Sequence, residues 1–473
     1  MGALRDRIAS PRLPTLLVAS AVGVYLLVVA GATATITDAV RACSPWPACG
    51  APSLSDPGLA VAWGHRILAV VVGVTVLWTT VRALRIGADR RVTIALLIAL
   101  LLYPVQIAMG AIVATSGGEM PFPMAHLGLG LGIFGALIGA LAWQLEVETG
   151  DPSDGPTDVD PIDPGEADEA DAPTDVVTPG EMGSLRRGLV TAQAYFRLMK
   201  PRLMWLLCLV AAAGMALAAG ETLTVRTIVL TLGGGVLAIG ASGTFNHVLE
   251  RDVDQRMERT ADRPVATHEI PVRNALVFGA GLTLASLALF LQVNVLAATL
   301  GLIAIGFYSV VYTLILKPNT VQNTVLGGFA GSLPALIGWA AASETIGLGA
   351  VALAGVIFLW TPAHFYNLAL AYKEDYARGG FPMLPVVRGE TTTRKHIVGY
   401  LGATLIAAGA MASLTPLGGL YALTTVAFGA LFLWMVVALH RERTTTAAFR
   451  AFHASNAYLG ALLLAVIVDS LAL

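Results

Sequence analysis

Apolar residues in this chain come in runs of about 20, the length that carries an α-helix across a bilayer. Four runs lie near residues 14–37, 59–82, 92–115 and 122–145. Nine more lie near 203–220, 227–248, 274–292, 295–315, 321–342, 346–370, 397–414, 418–439 and 451–471. The pattern predicts an all-α polytopic membrane protein with about 13 spanning helices, a four-helix N-terminal bundle followed by a nine-helix bundle. The basic start MGALRDRIASPR leads into the first run with no small-residue cleavage site behind it. That run therefore reads as a helix that stays in the membrane.

Between the two sets the pattern breaks. Residues 151–181 contain eleven Asp or Glu, six Pro and no Lys or Arg. Such a stretch cannot bury enough apolar surface to offset the entropy of ordering it. We expect 149–184 to be a disordered acidic linker between a membrane domain over 1–148 and another over 185–473. Only 13% of residues are charged, against about 25% in a soluble domain. The formal net charge of -2 leaves no footprint for nucleic acid, and three cysteines cannot make a disulfide scaffold.

Lys and Arg in short loops mark the cytoplasmic side. In the second set they crowd into 249–273, 316–320, 371–396 and 440–450, and into a lead-in with Arg186, Arg187, Arg197, Lys200 and Arg202. The alternate loops hold almost none; Arg226 is the exception. In the first set, Arg5, Arg7 and Arg12 precede the first run, and Arg82, Arg85, Arg90 and Arg91 follow the second. We expect a multi-pass cell-membrane protein with its N-terminus, linker and acidic loops in the cytoplasm and its C-terminus outside.

The sixth run ends in NHVLERDVDQRMERTADRP, residues 246–264. Asn246, Glu250 and Asp254 are spaced i, i+4 and i+8, one stripe on a helix. Arg251, Arg256, Arg259 and Arg263 are interleaved. A second acidic stretch, YKEDYARGGFPMLPVVRG (372–389), occupies another loop on the same side. A carboxylate stripe suits Mg2+, which is usually held by one or two carboxylates plus substrate phosphates while Arg and Lys clamp the rest. Two acidic patches facing each other across a bundle would seat a diphosphate and let it leave with its charge neutralised. The plainer alternative is a solvated loop of balanced charge. Against that, the stripe starts at Asn246, near the end of an apolar run, where polar groups are costly.

Asn246, Glu250 and Asp254, followed by Arg259-Thr260 and Arg263-Pro264, resemble the NxxxDxxxD and RTxxRP motif of the UbiA prenyltransferase superfamily, with Glu250 in place of the middle aspartate. MKPRLMWLL (199–207) and YTLILKPNTVQNTVLGGFAGSLPALIGW (312–339) are similar to its first-helix entry and central signature. WTPAHFYNLAL (360–370) and EDYARGGFPMLPVV (374–387) look like segments special to the protoheme IX farnesyltransferases. The resemblance covers roughly 190–473. The superfamily's second DxxxD is reduced, with Ala371 in the place of its first Asp and Asp375 remaining.

The resemblance implies transfer of a farnesyl group from farnesyl diphosphate to a vinyl group of heme B, giving heme O, with Mg2+. It implies Asn246, Glu250, Asp254 and Asp375 as ligands for metal and diphosphate, with Lys317 beside them. It sets Arg251, Arg259, Arg263, Lys200 and Arg202 around the phosphates. His364 would either touch the heme or hydrogen-bond a neighbouring helix. Tyr308, Tyr312, Tyr366 and Trp360 would line an isoprenoid pocket or simply pack. His247 and His268 read as solvated loop residues. Two other readings use the same residues: a UbiA-type transferase with another acceptor, and a non-catalytic membrane heme-binding protein.

In the first block, His65 and His126 lie at equal depth near the outer ends of the second and fourth runs. That allows a bis-His heme site; two unrelated buried histidines are the plainer alternative. The outer loop RACSPWPACG holds Cys43 and Cys49, on the side where a disulfide persists; two free thiols are the alternative. GATATITDAVRACSPWPACG (31–50), WGHRILAVVVG (63–73), YPVQIAMGAIVAT (103–115) and PMAHLGLGLG (123–132) resemble one half of the heme A synthases. That family is usually an eight-helix duplication, and its acidic residue three positions before the first His is Ala62 here. The resemblance implies a block that binds heme beside the transferase, or that completes eight helices by dimerising. Expected partners are farnesyl diphosphate, heme B, the lipid bilayer, and heme A synthase or terminal oxidase assembly factors.

Overall fold

A computed structural model of the protein describes residues 12–36, 55–157, 184–219 and 223–472. Thirteen helices among the described residues are long and apolar enough to cross a membrane. The protein is an integral, all-α, multi-pass membrane protein, as the apolar runs predict. Cys43, Cys49 and most of the acidic linker lie outside the described residues.

The helices are α1 (Leu13–Ile36), α2 (Pro57–Arg85), α3 (Arg90–Thr115), α4 (Phe122–Thr149), α5 (Ser184–Leu198), α6 (Pro201–Ala219), α7 (Val225–Leu249), α8 (Arg251–Asp254), α9 (Val272–Leu291), α10 (Val295–Gly306), α11 (Lys317–Asn319), α12 (Asn323–Ser343), α13 (Leu348–Ala371), α14 (Lys373–Arg378), α15 (Leu384–Leu414), α16 (Gly419–Glu442) and α17 (Thr445–Ala472). A π-helical stretch, Phe307–Leu316, joins α10 to α11. Two compact units emerge. One comprises Met1–Asp154, Val351–Ala371 and Thr391–Leu473; the other comprises Gly155–Ala350 and Tyr372–Glu390.

In the first unit, α1 packs against α2, α4 and α16, while α3 packs on α4 and α16 on α17. Its core is large and apolar, with Leu17, Phe134, Leu137, Leu141 and Phe432 fully buried. Hydroxyls also join helices, as membrane interiors favour: Ser20 and Thr79 are hydrogen-bonded at 2.9 Å between α1 and α2. α15 begins well before the predicted 397; it is interrupted at Gly389, whose φ of 80° a side chain would resist, and its residues up to Glu390 belong to the second unit. Arg388, Glu390, Arg394 and Lys395 make that first part too polar for a hydropathy window to include.

In the second unit, α6 lies so close to α12 that only glycine fits at the crossing. A Cβ on Gly338 would stand 2.0 Å from the Ala211 carbonyl oxygen, and one on Gly214 would stand 2.4 Å from that of Ala335. Ser286 of α9 donates to the Gly234 carbonyl of α7 at 2.7 Å. Asn294 does two jobs at once. Its Oδ1 caps α10 through the Ala297 N–H at 2.8 Å, and its Nδ2 donates to the Ala340 carbonyl of α12 at 2.8 Å. We expect Asn294→Ala to lower stability by about 1–3 kcal/mol, because it removes a cap and one of the two hydrogen bonds to the Ala340 carbonyl, which keeps the Glu344 N–H. Asn294→Asp, which keeps the cap alone, should fall between. Thermal denaturation in detergent reads both; wild-type melting of the alanine variant would contradict the assignment.

Candidate active site

The acidic stripe straddles the end of α7. The Glu250 N–H donates to the Asn246 carbonyl at 2.9 Å, and the Asp254 N–H to the Glu250 carbonyl at 2.8 Å. These two bonds bridge the break at Glu250 between α7 and α8, and the three side chains turn to one buried cluster. All are buried: Asn246 and Asp254 are 2% exposed and Glu250 is 4% exposed. Asp252 and Arg251 point elsewhere and pair with each other at 2.7 Å near solvent.

Three cations meet this stripe. Lys317 Nζ donates to Glu250 Oε1 at 2.5 Å. It arrives on the π-helical stretch, where the Thr313 hydroxyl donates to the Tyr308 carbonyl five residues back at 2.8 Å. Such wide turns often mark functional positions in helices. Arg263 Nη1 lies 2.7 Å from both Asp254 oxygens and 3.5 Å from Glu250 Oε2. Lys200, at the joint of α5 and α6 with a left-handed φ of 55°, donates to Asn246 Oδ1 and, at 3.3 Å, to the Tyr308 hydroxyl. Asn246 Nδ2 in turn donates to Thr313 Oγ1 at 3.2 Å.

Lys200, Lys317 and Arg263 therefore confront two carboxylates, leaving one positive charge in excess inside a buried cluster. Burial alone would raise the Glu250 carboxyl, but Lys317, Lys200 and Arg263 outweigh it and hold the group below its ordinary value. Burial, with Arg263 adding repulsion, pushes the Lys200 ammonium well below its usual range. A polyanion would relieve that frustration.

Asp375 sits in a different arrangement. It accepts the backbone N–H groups of Glu258 and Arg259 at 3.0 and 3.1 Å and the Arg378 guanidinium at 2.6 Å. Arg378 also reaches Glu258 at 2.8 Å. Both oxygens thus clamp the loop that carries Arg259, whose guanidinium lies over Tyr372 and Tyr376 at 5.2 and 5.6 Å. Among the described residues no three His, Cys, Asp or Glu side chains converge as a metal site. Mg2+ does not require three: one or two carboxylates plus substrate phosphates and water suffice. Glu250 and Asp254, bridged by one guanidinium nitrogen with the Asn246 amide on the same face, fit an ion that arrives with a diphosphate.

Other predicted residues are not brought to the cluster. Arg202 is exposed at the start of α6. His364 belongs to the first unit, stacked between Trp360 and Phe452 at 4.3 Å each, with its Nδ1 on the Ser455 hydroxyl at 2.6 Å. Trp360 donates to the Ser455 carbonyl, and Tyr366 packs beside His396 and Tyr400 in that same unit. Both read as packing residues. His268 is exposed, as expected, but His247, near the end of α7, is buried at 4%. Sequence reasoning missed Arg378 and Thr313; no spacing rule couples them to residues so distant in the chain.

Each unit holds a cavity. In the second unit a largely apolar cavity starts at Lys200 and Tyr308 and runs between α6, α7, α10 and α12 past Cys208, Gly235 and Ile337. In the first unit a cavity of about 530 Å³ is lined by both His65 and His126, with Arg66, Gln106 and Ala62. A Cβ on Gly31 would stand 3.4 Å from the His65 ring, and one on Gly110 would stand 3.1 Å from the His126 ring. The Nδ1 atoms of both rings are buried without a hydrogen-bond partner among the described residues.

Comparison with known proteins places this geometry. A protein of Haloarcula marismortui called protoheme IX farnesyltransferase is 67% identical over 462 residues, which cover 97% of this chain and 98% of that one. A protein of the same name from Halobacterium salinarum is 57% identical over 96% of this chain and 97% of its own. The one from Nocardia farcinica is 44% identical over 281 residues, which cover 59% of this chain but 90% of its own. Among solved structures, a digeranylgeranylglyceryl phosphate synthase matches 60% of this chain and 99% of its own, with a TM-score of 0.51 at 17% identity, a likeness of fold. The family model described as the UbiA prenyltransferase family matches residues 207–460, which include the acidic stripe, Lys317, Arg263 and most of the lining of the apolar cavity, while Lys200 lies just before them. The chain belongs to the UbiA prenyltransferase family.

Proposed function

We propose that the protein transfers a farnesyl group from farnesyl diphosphate to a vinyl group of heme B, giving heme O and diphosphate. The observation that carries this reading is the buried cluster of Asn246, Glu250 and Asp254 with its surplus of cations, opening onto an apolar cavity. Relatives of the same length at 57–67% identity, called protoheme IX farnesyltransferases, support the choice of donor and acceptor.

In this reading Asn246, Glu250 and Asp254 hold Mg2+, which neutralises the departing diphosphate. Lys200, Lys317 and Arg263 take its remaining oxygens, and Arg259 guards the entrance. The C1–O bond breaks with its electron pair going to the diphosphate. A vinyl carbon of the heme attacks the allylic cation, and water adds to the new carbocation and loses a proton. Stabilisation is electrostatic, in a site that excludes water from the first cation. We assign Asp375 to clamping the loop of Arg259. The acidic loops then face the cytoplasm, with the N-terminus inside and the C-terminus outside, as the Lys and Arg distribution suggests.

The test is direct. The purified chain with farnesyl diphosphate, heme B and Mg2+ should yield a porphyrin heavier than heme B by one farnesyl and one hydroxyl group. No mass change with this acceptor, but prenylation of a quinone precursor or lipid, would move the reading to another UbiA-type activity.

The cavity of the first unit favours an added role. Its volume, the two histidines in its lining and the unpartnered Nδ1 of each ring suit a porphyrin with two axial imidazoles. We propose that residues 1–148 bind heme beside the transferase segment at 185–473, with 149–184 as linker. The Nocardia farcinica relative, which matches this chain over 281 residues, close to the length of the latter segment, supports that division. A disulfide between Cys43 and Cys49, and contact with heme A synthase or terminal oxidase assembly factors, belong to the same proposal. We expect the full chain to bind one low-spin heme here. His65→Ala or His126→Ala should abolish its bis-imidazole electron paramagnetic resonance signal and leave prenyl diphosphate binding unchanged. An unaltered signal in both variants would remove the site.

A further inference from the structure

We propose that Gly235 sets the length of prenyl chain the protein accepts, an inference that rests on the prenyl transfer proposed above. The apolar cavity begins at Lys200 and Tyr308, which are linked to each other and to Asn246 of the acidic stripe. A diphosphate seated there would send its tail into the cavity. Along α7 the lining runs from Gly243 to Thr231, about 18 Å at the helical rise. An extended isoprene unit adds four chain bonds, about 5 Å by the reach of extended backbone bonds. Three units therefore match the path in length, at about 15 Å, and a fourth overruns it; the cavity's volume of about 90 Å³ requires its walls to part as the chain enters.

Gly235 stands about 12 Å along α7 from Gly243, beside the third isoprene unit. A Cβ built on it meets no atom within 4 Å, although the residue lines the cavity. Glycine is therefore not required there by helix packing, unlike Gly214 and Gly338 at the α6–α12 crossing. What its missing side chain provides is room for ligand. A branched side chain would occupy that room and leave space for two units.

The test uses the full chain in detergent with Mg2+ and measures equilibrium binding of geranyl, farnesyl and geranylgeranyl diphosphate. For Gly235→Leu we expect farnesyl diphosphate to bind about 30-fold more weakly, with geranyl diphosphate within about threefold of wild type. Gly235→Ala should fall between. Gly281→Leu, on α9 outside the cavity with equally free space at its Cβ, should leave the preference unchanged and controls for insertion of a leucine. Weakening of geranyl and farnesyl diphosphate by the same factor in Gly235→Leu, or of neither, would overturn the assignment. If the wild-type chain binds none of the three, the prenyl transfer reading fails first.

Discussion

Asp254→Asn is expected to abolish prenyl transfer, with turnover falling about 1000-fold or more. The side chain is 2% exposed and receives Arg263 Nη1 on both oxygens at 2.7 Å. The amide cannot balance that charge, nor share a divalent ion with Glu250 as the diphosphate departs. Losing one partner of a buried pair also costs stability, about 3–5 kcal/mol in full burial and less here because the Arg263 side chain is 17% exposed. The two effects separate in a double variant. Arg263→Gln combined with Asp254→Asn removes the unpaired charge and should restore much of the melting temperature, while turnover stays lost. Wild-type turnover in Asp254→Asn would end its role in the site.

Asp375→Asn should lower kcat/KM about 100-fold through a different route. Its oxygens hold two backbone N–H groups and Arg378, and charge-assisted bonds of this kind contribute about 1.5–3 kcal/mol each. An asparagine oxygen can keep part of that set. The loop bearing Arg259 loosens, so binding of the diphosphate should suffer more than turnover at saturation. The discriminating readout is the Mg2+ concentration at half-maximal activity. We expect it unchanged in Asp375→Asn. A shift as large as that produced by Glu250→Gln would make Asp375 a metal ligand, as its motif position suggests, and would dismiss the clamp.

The contrast between these two carboxylates shows what a sequence reveals. Spacing of i, i+4 and i+8 was enough to bring Asn246, Glu250 and Asp254 together, because the Glu250–Asn246 and Asp254–Glu250 backbone bonds carry helical spacing across the break between α7 and α8. The thirteen spans were legible because each pairs length with apolarity. Contacts over long stretches of chain were not. Asp375 meets the backbone of Glu258 and Arg259 through tertiary structure alone. Lys317 reaches Glu250 by way of a π-helical stretch, which leaves no trace in hydropathy. His247 looks solvated because a charged loop follows it directly, yet it is buried at the end of α7; the polar start of α15 hides its first turns. His364, Trp360 and Tyr366 carry aromatic chemistry in a family motif, yet His364 and Trp360 pack on each other and on Ser455, and Tyr366 packs beside His396 and Tyr400. Neighbours decide such cases.

The most direct measurement of the central claim is a crystal structure of the protein with Mn2+ and a non-reactive farnesyl thiodiphosphate, read by anomalous scattering. The account predicts Mn2+ coordinated by Glu250 and Asp254, the diphosphate touching Lys200, Lys317 and Arg263, and the tail running toward Gly235. Metal or diphosphate bound away from these two carboxylates would contradict it.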